Sequence, residues 1–332
     1  MKNSQYIDYQ KNDKSIINNS SLIEIPFKKK NIILSVLENY SWEKIITFIK
    51  SFIKANFQNC DIVIFVRNIS ISIINKLKSF GIIVYVVPEK FKDFEITICR
   101  WKIYLDFLEN YKEKYNLVLS VDIKDTIIQG DIFPLFEKNK PFLALSYEDG
   151  TFEENPNKKW MVNIYGIYFQ KTIENKKIIN AGTIWGTLQK YLEFLNILWV
   201  NLLKHQNPVD QTIVNYLIYH DKILNDSIII NDNYGQVMTL GLTKRENIVL
   251  DAENNILNFD GKIASLVHQY DRHKDLKIIL KEKFCPEYLE SFHKMKNNRI
   301  LFFLLEFFTF SLLMKSLLIL HKQKRFKQKN IF

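Results

Sequence analysis

Cysteine, glycine and proline are all scarce in this 332-residue chain. Three cysteines (Cys60, Cys99 and Cys285) are spread over its length, and no CxxC occurs. That excludes a disulfide framework and a cysteine-ligated zinc site, and it fits a reducing cytoplasm. Nine glycines and seven prolines argue against a long flexible linker. Among those few glycines there is no GxGxxG and no GxxxxGK[ST], so neither a dinucleotide fingerprint nor a P-loop explains any site here. The first residues, MKNSQYIDYQKNDKSIINNSS, lack the apolar stretch of a signal peptide, and 1–30 is expected to be a loose extension.

Apolar residues make up 47% of the chain and charged residues 25%, which supplies a real core and excludes a disordered composition. The net charge is +10, but residues 276–332 hold twelve Lys and Arg against four Glu and so carry +8 of it. The preceding domain is nearly neutral. That argues against nucleic acid as its partner and moves the question of a basic partner to the tail.

The chain from residue 31 alternates short apolar runs with helical patterns. NIILSVLENY (31–40), CDIVIFVRN (60–68), IIVYVVP (82–88) and YNLVLSVD (115–122) read as strands. SWEKIITFIKSFIKANF (41–57), ISIINKLKSFG (71–81) and CRWKIYLDFLENYKEKY (99–115) read as helices, with Ser41 able to cap the first and Gly81 closing the second. Strands with no polar alternation imply a mostly parallel sheet covered on both faces. The second half is less regular. PFLALSYED (141–149) and IINAGTIWGT (178–187) read as strands, TLQKYLEFLNILWVNLLKH (187–205) and PVDQTIVNYLIYH (208–220) as helices, and NNILNFDGKIAS (254–265) as a hairpin. The segment 150–159, GTFEENPNKK, reads as a polar loop.

Five features could carry chemistry, and each also has a bland explanation. The strand LVLSV ends in SVDIKDTIIQGD (120–131), where Asp122 and Asp125 can face one hard cation, or can cap and solvate a turn. Asp131 reads as a structural turn residue. His268, delivered by an apolar run, can complete such a site or be a satisfied structural histidine. Asn180, Ala181 and Gly182 allow close backbone approach to a ligand, or form a tight turn. Asp210 and Gln211 start a helix, where an acid is also favoured by the helix dipole. Arg100 can clamp a phosphate or a sugar hydroxyl, or be a surface charge.

In order, VDIKDTIIQGDIF, KIINAGTIWGT, VDQTIVNYL and VHQYDR resemble the GT-A glycosyltransferases, chiefly members with a D-x-[RK]-D-x-x-x-Q segment and more distantly glycosyltransferase family 8. The opening NIILSVLENYSWEKIITFIKSF matches that family's first strand and helix, and the likeness spans 31–275. The resemblance implies an α/β GT-A fold, Rossmann-like, with a mostly parallel central sheet flanked by helices and a helical C-terminal tail. It implies a nucleotide-sugar donor, a UDP-sugar for choice, and a divalent metal, Mn2+ or Mg2+. Asp122, Asp125 and His268 then stand as metal ligands. Asp122, Arg100, Asn180, Ala181, Gly182 and Gln211 stand as donor contacts, and Asp210 and Arg100 as the catalytic pair. The acidic motif is D-x-x-D where D-x-D is commoner, which leaves open which aspartate touches the metal. The expected acceptor is a glycan or lipid-linked glycan in cell-envelope polysaccharide synthesis, with 150–159 on the acceptor side. A non-catalytic GT-A-like module that binds glycan or membrane is the alternative. A nucleotidyltransferase would need a Gly-rich phosphate loop near the first strand, and none is there.

The tail is read from its own residues. ILFFLLEFFTFSLLMKSLLIL (300–320) is apolar, interrupted by Glu306 and Lys315, and flanked by basic residues from 294 to 329. It is long enough to span a bilayer, but a span with the richer C-terminal flank inside would put the domain on the far side from nucleotide sugars. A helix lying on the anionic inner face of the cell membrane, with a cytoplasmic domain, is the expectation; packing on the domain or in an oligomer stays open.

Overall fold

The computed structural model describes residues 29–136, 140–224 and 227–287. In chain order the elements are β1 (Lys30–Glu38), α1 (Trp42–Ala55), β2 (Cys60–Arg67), α2 (Ile71–Ser79), β3 (Ile83–Val86), α3 (Ile96–Asn110), β4 (Tyr115–Val121) and β5 (Thr126–Ile128). They continue with β6 (Leu143–Thr151), α4 (Asn157–Ile173), β7 (Lys177–Thr187), α5 (Leu188–Leu202), α6 (Asp210–Tyr219), β8 (Ile228–Asn231) and β9 (Val237–Thr239). Last come β10 (Val249–Leu250), β11 (Ile256–Leu257), β12 (Leu266–His268) and α7 (Lys274–Phe284).

Seven strands form the central sheet in the order β3-β2-β1-β4-β7-β6-β8. β1 to β4 run parallel, β7 runs against both β4 and β6, and β8 is parallel to β6. The mostly parallel, helix-flanked α/β sheet expected from the sequence is therefore present. Both faces of β1 are buried: Ile32 and Leu34 pack with α3, α5 and α6, while Ile33 and Leu37 pack with α1 and α2. β2 repeats the pattern, with Val63 and Phe65 on one face and Ile62, Ile64 and Val66 on the other. Two covered faces leave no polar side of the strand, so the run reads as continuously apolar.

A second sheet, β5-β12-β9, lies beyond the carboxyl end of β4, with β12 antiparallel to β5 and parallel to β9. It carries the third core cluster, where Ile127, Met238, Leu240 and Val267 meet Leu276, Leu280 and Phe284 of α7. Gln129 binds the acidic turn to the β11 region: its amide donates to the carbonyls of Ile256 (3.0 Å) and Ala264 (2.8 Å) and accepts from the Ile256 N–H (2.9 Å). The expected hairpin forms, with Leu257 bridged to Ile263 across a turn at Gly261.

Two local readings change. Ser41 is the N-cap of α1, but its side chain makes no capping hydrogen bond. The 150–159 loop is shorter than read: β6 runs on to Thr151, and α4 starts at Asn157 and breaks at Gly166, whose φ of 85° and ψ of 163° leave the helical register. That break is why the apolar residues of 160–170 keep no single helical period. The segments 1–28 and 288–332, including the apolar run 300–320, lie outside the described residues. Among the described residues, no helix is long and apolar enough to cross a membrane.

Asp61, at the start of β2, ties down the amino end of the sheet. It accepts from Lys30 Nζ (2.8 Å), Lys114 Nζ (2.7 Å) and Tyr115 OH (3.0 Å). Burial opposes its ionisation, but these three donors outweigh burial and hold its pKa below the ordinary value of 3.8. A depressed carboxylate stabilises the fold above its unfolded pKa and loses that contribution as pH falls through the folded value. Asp61→Asn should therefore cost about 1 kcal/mol near neutral pH, given the half-exposed lysines. Urea unfolding at stepped pH should show this gap closing in acid; a gap that stays constant down to acid unfolding contradicts the account.

Candidate metal and substrate site

Asp122 follows the last residue of β4, where the order of the strands along the sheet reverses between β1 and β4. Ligands of such sheets collect beyond the carboxyl ends of strands at that point. The chain then turns through Lys124 to Asp125 and enters β5. His268 is the final residue of β12, registered against Thr126 of β5 on one side and Thr239 of β9 on the other. The small sheet thus delivers the imidazole to the acidic turn. Ligand atoms of Asp122, Asp125 and His268 all lie within 4.8 Å of one another. His268 Nε2 is 3.4 Å from Asp125 Oδ1 and 3.8 Å from Asp122 Oδ2.

The surroundings fit a cation. His268 is fully buried, and neither ring nitrogen is in hydrogen-bond geometry with any partner among the described residues. Buried imidazole nitrogens rarely go unpaired without a ligand to take. Burial alone would lower the pKa of His268, but Asp125, Asp122 and Glu148 outweigh it and raise it. Burial works against ionised Asp125 as well, yet His268, Arg272 and Lys124 hold its pKa below the ordinary value. Two carboxylates and one imidazole are a donor set for Mn2+ or Mg2+, and they leave positions for substrate oxygens.

Gly182 keeps the space open. Between Leu145–Ser146 of β6 the β7 partner jumps from Ile184 to Asn180, so residues 181–183 form a bulge. Bulges of this kind re-aim backbone beside sites. Here the Gly182 carbonyl accepts from Asp122 N–H at 2.9 Å. A Cβ at Gly182 would strike the His268 ring, 2.8 Å from Nε2, and lie 2.6 Å from Asp122 Oδ2. Gly182→Ala should therefore weaken Mn2+ binding about 10- to 100-fold while the circular dichroism spectrum stays unchanged. Calorimetric titration with Mn2+ checks this, and parental affinity in the variant would contradict it.

Arg100, on α3, is buried and bridges two carboxylates. Its guanidinium donates to Asp122 Oδ1 and, at 2.7 Å, to Asp210 Oδ2. Burial disfavours its charge, but Asp122 and Asp210 more than compensate and raise its pKa. Asp210 opens α6, accepts from Trp101 Nε1 (3.2 Å), and takes the Gln211 N–H at 2.8 Å. Asn180 and Ala181 are buried. The Asn180 amide donates to Glu148 (2.7 Å) and accepts from Gly182 N–H (2.7 Å), and Ala181 N–H is held by Gln211 at 3.2 Å. Gln211 also donates to Glu148 (3.2 Å) and Asn157 (2.8 Å). Asp122, Asp125, His268, Gly182, Arg100 and Asp210 thus form one constellation, and Asn180 and Gln211 form the polar network behind it.

Sequence reasoning missed three members of this region. Glu148 is buried in β6, and burial raises its pKa despite hydrogen bonds from Asn180 and Gln211. Asn157 begins α4. Tyr40, after β1, has its phenol pKa raised by burial and then by Asp122 and Asp125. A signal for Glu148 was present: Glu148-Asp149 ends an apolar strand just as Asp122 does. Asp131 caps a turn, accepting from Phe133 N–H at 3.0 Å.

Two concavities are lined by residues outside the constellation. A groove of about 380 Å³ at the carboxyl ends of β1 to β3 is lined by Glu38, Arg67, Asn68, Val86 and Pro88 among others. A cavity of about 480 Å³ lies between 93–98 and 202–209, next to Asp210.

No family model matches the chain, and no curated protein matches its sequence. Solved structures resemble it at low identity. The galactosyltransferase LgtC, in complex with donor and acceptor sugar analogs, is 15% identical over 76% of this chain and 95% of its own, with a TM-score of 0.43. The apo-form glycosyltransferase GlyE of Streptococcus pneumoniae TIGR4 is 17% identical over 78% of this chain and 64% of its own, with a TM-score of 0.45. The bifunctional glycosyltransferase WbbM is 15% identical over 75% and 47% of the two chains, also at 0.45.

Proposed function

We propose that this protein is a GT-A-type glycosyltransferase. On this reading it is metal-dependent and moves a sugar from a nucleotide-sugar donor, a UDP-sugar for choice, to a glycan or lipid-linked acceptor. The observation that carries the proposal is the Asp122–Asp125–His268 cluster, which Gly182 lets form by its close backbone approach and which Arg100 bridges to Asp210. Asp122, Asp125 and His268 would hold the divalent ion. When bound, Mn2+ or Mg2+ supplies Lewis-acid neutralisation of the charge that develops on the leaving diphosphate. Arg100 binds both Asp122 and Asp210 and adds positive charge beside the donor. Asp210, held by Arg100, Trp101 and the Gln211 N–H, orients sugar hydroxyls. Gln211, Asn180 and Glu148 fix the bulge that carries Gly182, a positioning role. The groove beyond β1 to β3 suits the donor's nucleoside, and the cavity beside Asp210 suits the acceptor together with the 150–159 segment. Envelope polysaccharide synthesis at the inner membrane face, through 294–329, is the setting that the basic apolar tail supports.

The test is a screen of nucleotide sugars for thermal stabilisation with and without Mn2+, followed by measurement of donor hydrolysis. At least one UDP-sugar should stabilise the protein only when metal is present. Stabilisation by glycans with no metal-linked nucleotide binding would favour a non-catalytic glycan-binding module instead.

A further inference from the structure

His268 Nε2 faces Asp125 and Asp122, and Nδ1 has no hydrogen-bond partner among the described residues. A histidine that binds metal ordinarily donates its second ring nitrogen to a carboxylate or a carbonyl, which fixes the ring. With no such bond among the described residues, the imidazole is held through its backbone and its packing. β9 supplies the backbone support. It is the outer strand of the small sheet, parallel to β12, with Thr239 registered against His268. Leu240 N–H donates to the His268 carbonyl at 3.0 Å. Thr239, one residue earlier, presents its N–H and C=O at the edge of the sheet where no further strand pairs. Asn233 takes that strand's place. Its side-chain oxygen accepts from Thr239 N–H at 2.9 Å, and its amide nitrogen donates to Thr239 C=O at 3.2 Å. Both residues are buried, where an unpaired N–H or C=O is costly.

We propose that Asn233 is a positioning residue for His268: it closes the outer edge of β9, and β9 in turn holds the backbone that aims the imidazole at Asp122 and Asp125. This role rests on the reading of Asp122, Asp125 and His268 as metal ligands. The amide is itself locked in orientation. Its other hydrogen lies between Asp149 Oδ2 (3.0 Å) and Thr243 Oγ1 (3.1 Å), and the Thr243 hydroxyl donates to the same Asp149 oxygen at 2.6 Å. The Asn233 carbonyl accepts from Phe259 N–H at 2.9 Å, which ties the hairpin to the same point. Loss of the amide leaves both Thr239 backbone groups unpaired and frees β9 to shift against β12. The His268 carbonyl follows Leu240, and Nε2 moves relative to the two carboxylates. Aspartate does not substitute at 233, since it lacks the donor and sets a second negative charge against Asp149.

The test compares the full-length parent, Asn233→Ala, and Asp61→Asn as a destabilised control at the amino end of the central sheet. Proton–carbon NMR of the metal-free proteins resolves the imidazole Cε1–H signals, and the His268 signal is the one missing from His268→Ala. In Asn233→Ala that signal should move or split, and in Asp61→Asn it should stay in place. Calorimetric titration with Mn2+ then reads the consequence: binding about tenfold weaker in Asn233→Ala and unchanged in Asp61→Asn. Should Asn233→Ala fail to fold, Asn233→Gln, which keeps the amide on a longer stem, is measured in the same way. An unmoved His268 signal overturns the proposal. So does parental Mn2+ affinity in the Asn233 variant, or an equal loss in Asp61→Asn, which would mark a general loss of stability. If the parent itself binds no Mn2+, the metal reading fails, and the metal-free NMR signal still decides whether Asn233 positions His268.

Discussion

Asp125→Ala should abolish Mn2+ binding and reduce sugar transfer or donor hydrolysis by about 100- to 1,000-fold. Asp125 is 7% exposed and sits 3.4 Å from His268 Nε2, inside the ligand cluster. Its loss leaves Asp122 and His268 as two ligands, one of them already engaged by Arg100. A circular dichroism spectrum and melting curve of the variant separate loss of the ligand from loss of the fold, since Asp125 also interacts favourably with His268, Arg272 and Lys124. Chelation of the parent should give the same loss and added Mn2+ should restore it, while the variant should stay inactive at any metal concentration. Equal activity in the two proteins would sink the metal assignment.

Arg100→Met should be the most destabilising single change in the site. The guanidinium is 7% exposed, and Asp210, which it binds at 2.7 Å, is 13% exposed. Removing one member of a buried pair leaves the other unpaired and costs about 3–5 kcal/mol. Asp122 is more exposed and adds less. In a domain of this size that lowers the melting temperature on the order of 10 °C. Arg100→Met/Asp210→Asn should recover part of the loss, because it removes the stranded charge. A melting temperature within 2 °C of the parent, or no recovery in the double variant, would refute the paired-charge account.

Much of the first half was legible because local physics dictates it. Strands buried on both faces must be apolar at every position, so β1, β2 and β4 announce themselves and imply helices on each side. Amphipathic spacing likewise marks α1, and Gly81 with its φ of 76° marks the end of the second helix. The acidic turn could be read because carboxylates at a buried strand end need a cause. Glu148 escaped because its partners, Asn180 and Gln211, come from other elements. α4 escaped because Gly166 breaks its period; the apolar run before His268 did read as a strand, and β12 forms there as Leu266–His268.

The sequence by itself therefore determined the class of fold, a parallel core wrapped by helices, and the chemical identities available to a site: two carboxylates, an imidazole, a guanidinium and a nearby glycine. Only the tertiary structure decided that they meet. β5 pairs with β12 across most of the domain's length, and a bulge in β7 turns Gly182 into the gap between Asp122 and His268. Local periodicity cannot encode that pairing. It depends on long-range loop closure, and the hydrogen bonds that reward closure appear only once the whole sheet is assembled.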